Sequence, residues 1–247
     1  MTYGKSINTP GGDHVSELTP EDLAASATVH DMGNLEAILK QVKMPECGRM
    51  IDLGCGYGGL TRYVANYLKI SDIHGIDIDD SRLAQAKLKG IKTHNLDLNK
   101  ARLPFTDESF HLVTSFGALE HLIYFDNFFS ESFRVLGKGG YIIVAMPNLG
   151  SYINRLALLF GYQPRDIEIS HKALPGTLPR YSRGFFGHIH SATLRAIKQM
   201  MGYYGFTIIK IRPSSPYQIN KLVKIMDKIF SFWPGLSRRF IILAKKP

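Results

Sequence analysis

Ile51-Asp52-Leu53-Gly54-Cys55-Gly56-Tyr57-Gly58-Gly59 is the stretch that decides the fold. Before it, from Arg49, the chain reads as a short apolar strand, and after it Leu60, Tyr63, Val64, Tyr67 and Leu68 recur at helical spacing. Strand, glycine turn and helix in that order make a βα unit. Glycines at such a turn let the backbone bend sharply and let a ligand approach main-chain atoms without meeting a Cβ. Gly54, Gly56 and Gly59 also satisfy the G-x-G-x-x-G of dinucleotide-binding proteins, so the glycines alone leave the ligand open.

Outward from this unit the two periodicities alternate. Residues 73–78 read as a second strand, 81–89 as a short helix, 91–96 as a third strand and 110–116 as a fourth. Phe125, Phe128, Phe129, Phe133 and Leu136 mark the next helix, closed by Gly137-Lys138-Gly139-Gly140, and 141–146 is a fully apolar fifth strand. An insertion over 149–187 follows, with a helix at 152–160 and a loop punctuated by Pro and Gly, the composition of a cover over a site. A helix at 191–204 and strands at 206–211 and 240–244 resume the pattern. Upstream, Thr19-Pro20-Glu21-Asp22 starts one helix, and Met32, Leu35, Ile38, Leu39 and Val42 face one side of another. Strands alternating with helices predict an α/β, parallel, doubly wound sheet. The whole chain, 1–247, reads as one domain: a helical cap over 1–43, a ligand-binding core over 44–148, the insertion, and a closing part over 188–247.

Charge is unevenly placed. The net charge is +9, yet from Lys210 onward there are nine Lys or Arg and one acid, Asp227. Within that basic end, 219–233 is amphipathic, with Ile219, Leu222, Val223, Met226, Ile229, Phe230 and Trp233 on one face and Lys221, Lys224 and Lys228 toward the other. The expectation is a helix packed on the domain with its lysines in water, the alternative a lid resting on a membrane. A basic surface also suits a phosphorylated acceptor or RNA. No apolar run reaches the roughly 18–20 residues of a membrane span, and the first residues lack the apolar stretch of a secretion signal. A cytoplasmic protein is expected, with peripheral membrane contact through 219–233 as the alternative. Cys47 and Cys55 are too few for a disulfide framework and lack metal-binding spacing.

Two acids narrow the ligand. Asp52, two residues before the first glycine, suits a ligand ammonium group and repels a pyrophosphate. Asp77, at the end of the next strand, suits a ribose diol in either kind of nucleotide-like ligand. Beyond them stand Asn95-Leu96-Asp97-Leu98, Leu103-Pro104-Phe105-Thr106-Asp107-Glu108-Ser109-Phe110, Ala118-Leu119-Glu120-His121-Leu122 and Arg134-Val135-Leu136-Gly137-Lys138-Gly139-Gly140. Together these linked blocks resemble the class I S-adenosylmethionine-dependent methyltransferases, in particular the branch with the quinone-biosynthesis enzymes. The resemblance is close over 48–148 and loose over the last helix and strands.

The resemblance implies a Rossmann-like, mostly parallel seven-stranded sheet with the last strand antiparallel, an insertion after the fifth strand and a helix between the sixth and seventh. It implies S-adenosylmethionine as cofactor and S-adenosylhomocysteine as product. By the family's pattern Asp52, Gly54, Cys55 (through its backbone) and Gly56 meet the methionine part, Asp77 and Ile78 the ribose, and Asp97 and Leu98 the adenine, with Phe116 lining the pocket. Related enzymes hold a divalent metal with E-x-x-E-H; here Gly117 replaces the first acid, and no metal is expected. His121 is the candidate general base, its alternative role the ordering of a loop. Asn148, Tyr181, Arg183, His188 and His190 are candidates for the acceptor side, since open α/β sheets bind ligands beyond the carboxyl ends of their strands. The expected acceptor is a small or lipid-linked molecule. RNA methylation lacks the N-P-P-Y-type block and a visible RNA module, so nucleic acid is not expected. Cofactor binding without turnover is a third reading, and a nicotinamide oxidoreductase ranks last.

Overall fold

The computed structural model describes residues 32–170, 172–177, 187–214 and 221–247. The helix expected from Thr19, the candidates Tyr181 and Arg183, and Ile219 lie outside the described residues. Along the chain run α1 (Met32–Leu39), β1 (Arg49–Leu53), α2 (Gly59–Tyr67), β2 (Asp72–Asp77), α3 (Asp80–Leu88), β3 (Lys92–Asn95) and β4 (Phe110–Phe116). A 3-10 turn (Leu119–His121), α4 (Asp126–Val135), β5 (Leu136–Pro147), α5 (Tyr152–Leu159), α6 (Leu194–Tyr203), β6 (Thr207–Ser214), α7 (Lys221–Phe230) and β7 (Arg239–Lys245) follow.

The seven strands form one sheet in the order β3-β2-β1-β4-β5-β7-β6. β1 to β5 pair in parallel, and β7 enters antiparallel between β5 and β6. Strand side chains alternate between faces, and the two cores divide accordingly. Met50, Leu112, Ile143 and Ile241 point into one core with α1, α2 and α3. Ile51, Val113, Ile142 and Ile242 point into the other, where Phe128 and Phe129 of α4 and Ile197 and Met201 of α6 cover them. Because both faces are buried, these strands read as continuous apolar runs.

Two elements depart from the sequence reading. Gly137-Lys138-Gly139-Gly140 does not close α4; it opens β5, which begins at Leu136 opposite Phe110 and bulges before Leu112 meets Tyr141. The helix needs no glycine cap, because Lys246 Nζ donates to the carbonyls of Phe133 and Leu136 at 2.9 and 2.7 Å. The second departure is α7. Its fully buried residue is Asp227, while Leu222, Ile225 and Ile229 are exposed. Asp227 accepts from Tyr152 Oη at 2.9 Å and from Arg238 Nε and Nη2 at 2.8 and 2.5 Å. Val223, Met226 and Phe230 on that side are half-buried, so the helix packs on the domain as expected, with its lysines exposed, but leaves Leu222, Ile225 and Ile229 outside as well.

The strand order reverses direction at β1, between β2 and β4. A crevice opens there beyond the carboxyl ends of the strands, the place where open α/β sheets take their ligands.

Candidate functional site

The crevice is a cleft of about 520 Å³, large enough for a nucleoside-sized ligand. Each wall is the end of a strand. The glycine turn after β1 forms the floor, and Gly54 and Gly56 hold positive φ there, +83° and +53°. A Cβ on Gly54 would collide with Ala118 of the turn after β4. A Cβ on Gly56 would meet nothing within 4 Å, so its backbone lies open to an occupant. The loop is pinned by the N–H groups of Gly54 and Cys55, both donating to Ile76 O at 2.8 Å.

Asp52 is buried at the end of β1. Thr114 Oγ1 donates to its Oδ1 at 2.8 Å, and Thr61 Oγ1 donates to its Oδ2. Burial pushes this carboxyl up to about 6, against the pull of the two hydroxyls and with the charge of Asp77 adding to the rise. A carboxylate so desolvated gains from a cationic ligand. Asp77 takes Gly56 N–H on Oδ2 at 2.9 Å and Asp79 N–H on Oδ1 at 3.1 Å, so it shapes the turn while facing the cleft. Cys55 is buried and its thiol is pushed up by desolvation, which leaves its main chain as the useful part.

After β3, Asp97 and Leu98 line the cleft, with one Asp97 oxygen held by Asn99 N and Nδ2 at 2.9 and 2.8 Å. Ile78 stands at the rim and Phe116 closes the end of β4. All nine residues named for the cofactor therefore meet in one cleft. The carboxylates at the ends of β1 and β2 around an open glycine turn suit an ammonium group and a diol, and Leu98 and Phe116 supply apolar walls for a base. S-adenosylmethionine has those three parts, and the residues fit it.

The far wall holds Glu120, His121, His188 and Arg239. Glu120, in the 3-10 turn, is buried, and desolvation raises its carboxyl to about 7 although Arg239 pulls the other way. His188 Nε2 and Arg239 Nη1 each lie 3.9 Å from Glu120 Oε1. Glu120 Oε2 and Arg239 Nη1 are buried with no hydrogen-bond partner among the described residues. Burial, then the neighbouring Arg239 and His121, lower His188 to about 3, so this imidazole is neutral. His121 Nδ1 lies 3.0 Å from Gly187 O; a carbonyl only accepts, so Nδ1 carries the proton and a neutral ring keeps its lone pair on Nε2. Donor atoms of Glu120, His121 and His188 come within 4.8 Å of one another. The guanidinium of Arg239 beside them already supplies the positive charge that a cation would bring.

The other acceptor-side candidates fall elsewhere. Asn148 is completely buried and structural: its Nδ2 donates to Gly235 O and Ser237 O at 3.0 and 2.8 Å, and its Oδ1 accepts from Gly150 N. It ties β5 to the turn before β7 and has no surface to offer. His190 is exposed, rests its ring near Phe125, and gives its N–H to Glu120 O. Arg239 escaped sequence reasoning. The one signal for it was an Arg-Arg pair opening the last strand, which period-two alternation sends to opposite sides.

Residues 51–144 match the methyltransferase domain family. A probable S-adenosylmethionine-dependent methyltransferase of Mycolicibacterium smegmatis is 32% identical over 99 residues, 40% of this chain and 38% of that protein. The chain thus spans about two fifths of that relative's length. An uncharacterized protein of Methanocaldococcus jannaschii is 25% identical over 211 residues, 85% of this chain and 79% of that one. The crystal structure of an S-adenosylmethionine-dependent methyltransferase from Mesorhizobium loti shares the fold with a TM-score of 0.57 at 20% identity, covering 86% of this chain and 96% of that one. Residues 51–144 thus carry a methyltransferase domain, and the chain around it shares its seven-stranded fold with solved S-adenosylmethionine-dependent methyltransferases.

Proposed function

We propose that this chain transfers a methyl group from S-adenosylmethionine to a small-molecule or lipid-linked acceptor. The observation that carries the reading is the pair of acids, Asp52 and Asp77, on either side of the open Gly56 turn at the switch point of the sheet. A pyrophosphate would meet the Asp52 carboxylate there; an amino-acid ammonium and a ribose meet their partners.

When bound, the cofactor supplies a methyl group activated on a sulfonium. Asp52 would hold the ammonium end, Asp77 the ribose, and Asp97 with Leu98 the base, with Phe116 lining the pocket. The far wall positions the acceptor. Alignment of this kind contributes about 7 to 11 kcal/mol in favourable cases, and a base is needed only when the acceptor must lose a proton. His121 Nε2 and the Glu120 carboxylate are the groups placed to take it. Arg239, whose Nη1 has no partner among the described residues, would hold an oxygen of the acceptor.

Calorimetry with S-adenosylhomocysteine and, separately, with NADH tests the cofactor. Heat with the first alone is expected, and heat with NADH alone overturns the reading. Transfer of a tritiated methyl group into lipid and water-soluble extract fractions then reports the acceptor class.

A further inference from the structure

α7 packs on the domain by Val223, Met226, Asp227 and Phe230 and presents a second apolar stripe, Leu222, Ile225 and Ile229, to solvent. Ile225 and Ile229 lie one turn apart on its outer side, and Phe232 and Trp233 follow directly after it, 78% and 59% exposed. The helix cannot simply roll over, because Asp227 on the opposite side is locked to Arg238 and Tyr152. Lys221, Lys224 and Lys228 are exposed along the same helix, and its sole acid is the buried one. α5 continues the surface: its Tyr152 ring stacks on Phe230 at 4.5 Å, and Leu156 and Leu159, one and two turns further on that side, are exposed.

Trp233 also borders a groove of about 920 Å³ whose lining includes Arg155, Arg195 and Lys198 and, among the described residues, no acid. Apolar and aromatic groups ringed by cations form the surface that rests at a bilayer interface, with the side chains among the acyl chains and the cations among anionic headgroups. A second copy of this chain would have to set these cations against each other, whereas an anionic bilayer neutralises them.

We infer that the outer face of α7, the Phe232-Trp233 turn and the adjoining basic groove dock this protein on an anionic lipid bilayer. The inference deepens the methyl-transfer reading and rests on it for its purpose. Arg238, which anchors α7, immediately precedes Arg239, which lines the cleft, so the docked face and the far wall share one edge of the sheet. An acceptor anchored in lipid meets the far wall without leaving the membrane.

Trp233 is the single tryptophan of the chain and reports its own environment. Titration with phosphatidylcholine vesicles containing phosphatidylglycerol is expected to shift its emission to the blue and to co-sediment the protein. Pure phosphatidylcholine should do so about tenfold less well, and salt should weaken the binding. Joint Lys221→Glu, Lys224→Glu and Lys228→Glu changes should cut partition by about tenfold or more, as should Ile225→Asn with Ile229→Asn, both with unchanged circular dichroism. Unshifted emission with no co-sedimentation overturns the inference. So does a stable dimer in analytical ultracentrifugation that buries Trp233 before lipid is added. Normal S-adenosylhomocysteine heat beside failed vesicle binding overturns this inference alone; vesicle binding without that heat overturns the methyl-transfer reading alone.

Discussion

Arg239 Nη1 and Glu120 Oε1 face each other at 3.9 Å in the wall of the cleft, beyond hydrogen-bond reach and within range of charge attraction. Each residue keeps a buried polar atom with no partner among the described residues. Buried groups left in that state cost about 1–3 kcal/mol each, a cost that an oxygen-bearing acceptor would remove.

Glu120 and His188 give the fold opposing pH dependences. The Glu120 carboxyl rises from 4.5 to about 7 on folding, so its contribution to stability is present below about pH 4.5 and lost as pH rises through 7. It amounts to roughly 3 kcal/mol across that window. His188 falls from 6.5 to about 3, so its contribution is present above 6.5 and lost as pH falls toward 3. Between those limits the two slopes cancel in part. Urea unfolding of His188→Gln should therefore show stability falling from about pH 5 to 7, and Glu120→Gln should show it rising. Slopes equal to that of the unaltered chain would refute both assignments.

Asp52 predicts a pH-dependent grip on the cofactor. Its carboxyl sits at about 6, and only its ionised form attracts an ammonium group. S-adenosylhomocysteine affinity should rise about tenfold as the medium passes from one unit below that value to one above. Asp52→Asn should bind at least about tenfold more weakly and lose the pH dependence. Calorimetry across the range is the check.

Gly54 carries both a steric and a backbone requirement. Gly54→Ala places a methyl group against Ala118 and forces φ +83° on a residue with a Cβ. The backbone part alone costs about 1–2 kcal/mol. Adding Ala118→Gly should recover the overlap and leave the backbone cost, so the double variant should melt between the single Gly54→Ala variant and the unaltered chain. No recovery would mean that the overlap is relieved in some other way.

Arg238→Met leaves Asp227 buried without its cation, which typically costs about 3–5 kcal/mol. Asp227→Leu with Arg238→Met should restore most of that stability, since an apolar pair of similar volume needs no desolvation. Denaturant midpoints of the three variants test it.

Periodicity and turn chemistry made the sheet, its helices and the cofactor half of the cleft legible in the sequence. A strand's alternation and a glycine's freedom are local properties, and Asp52, Gly56 and Asp77 occupy the ends of consecutive strands whatever packs elsewhere. Only the tertiary structure decided the other half. Glu120 and Arg239 are 119 positions apart and meet because β7 threads antiparallel between β5 and β6. Asn148 looked like an edge residue and is a buried tie, and Leu222, Ile225 and Ile229 of α7 face outward because Asp227, on the other side of the helix, is bound to Arg238. Which side of an element faces inward depends on partners distant in sequence, and the local pattern carries no record of them.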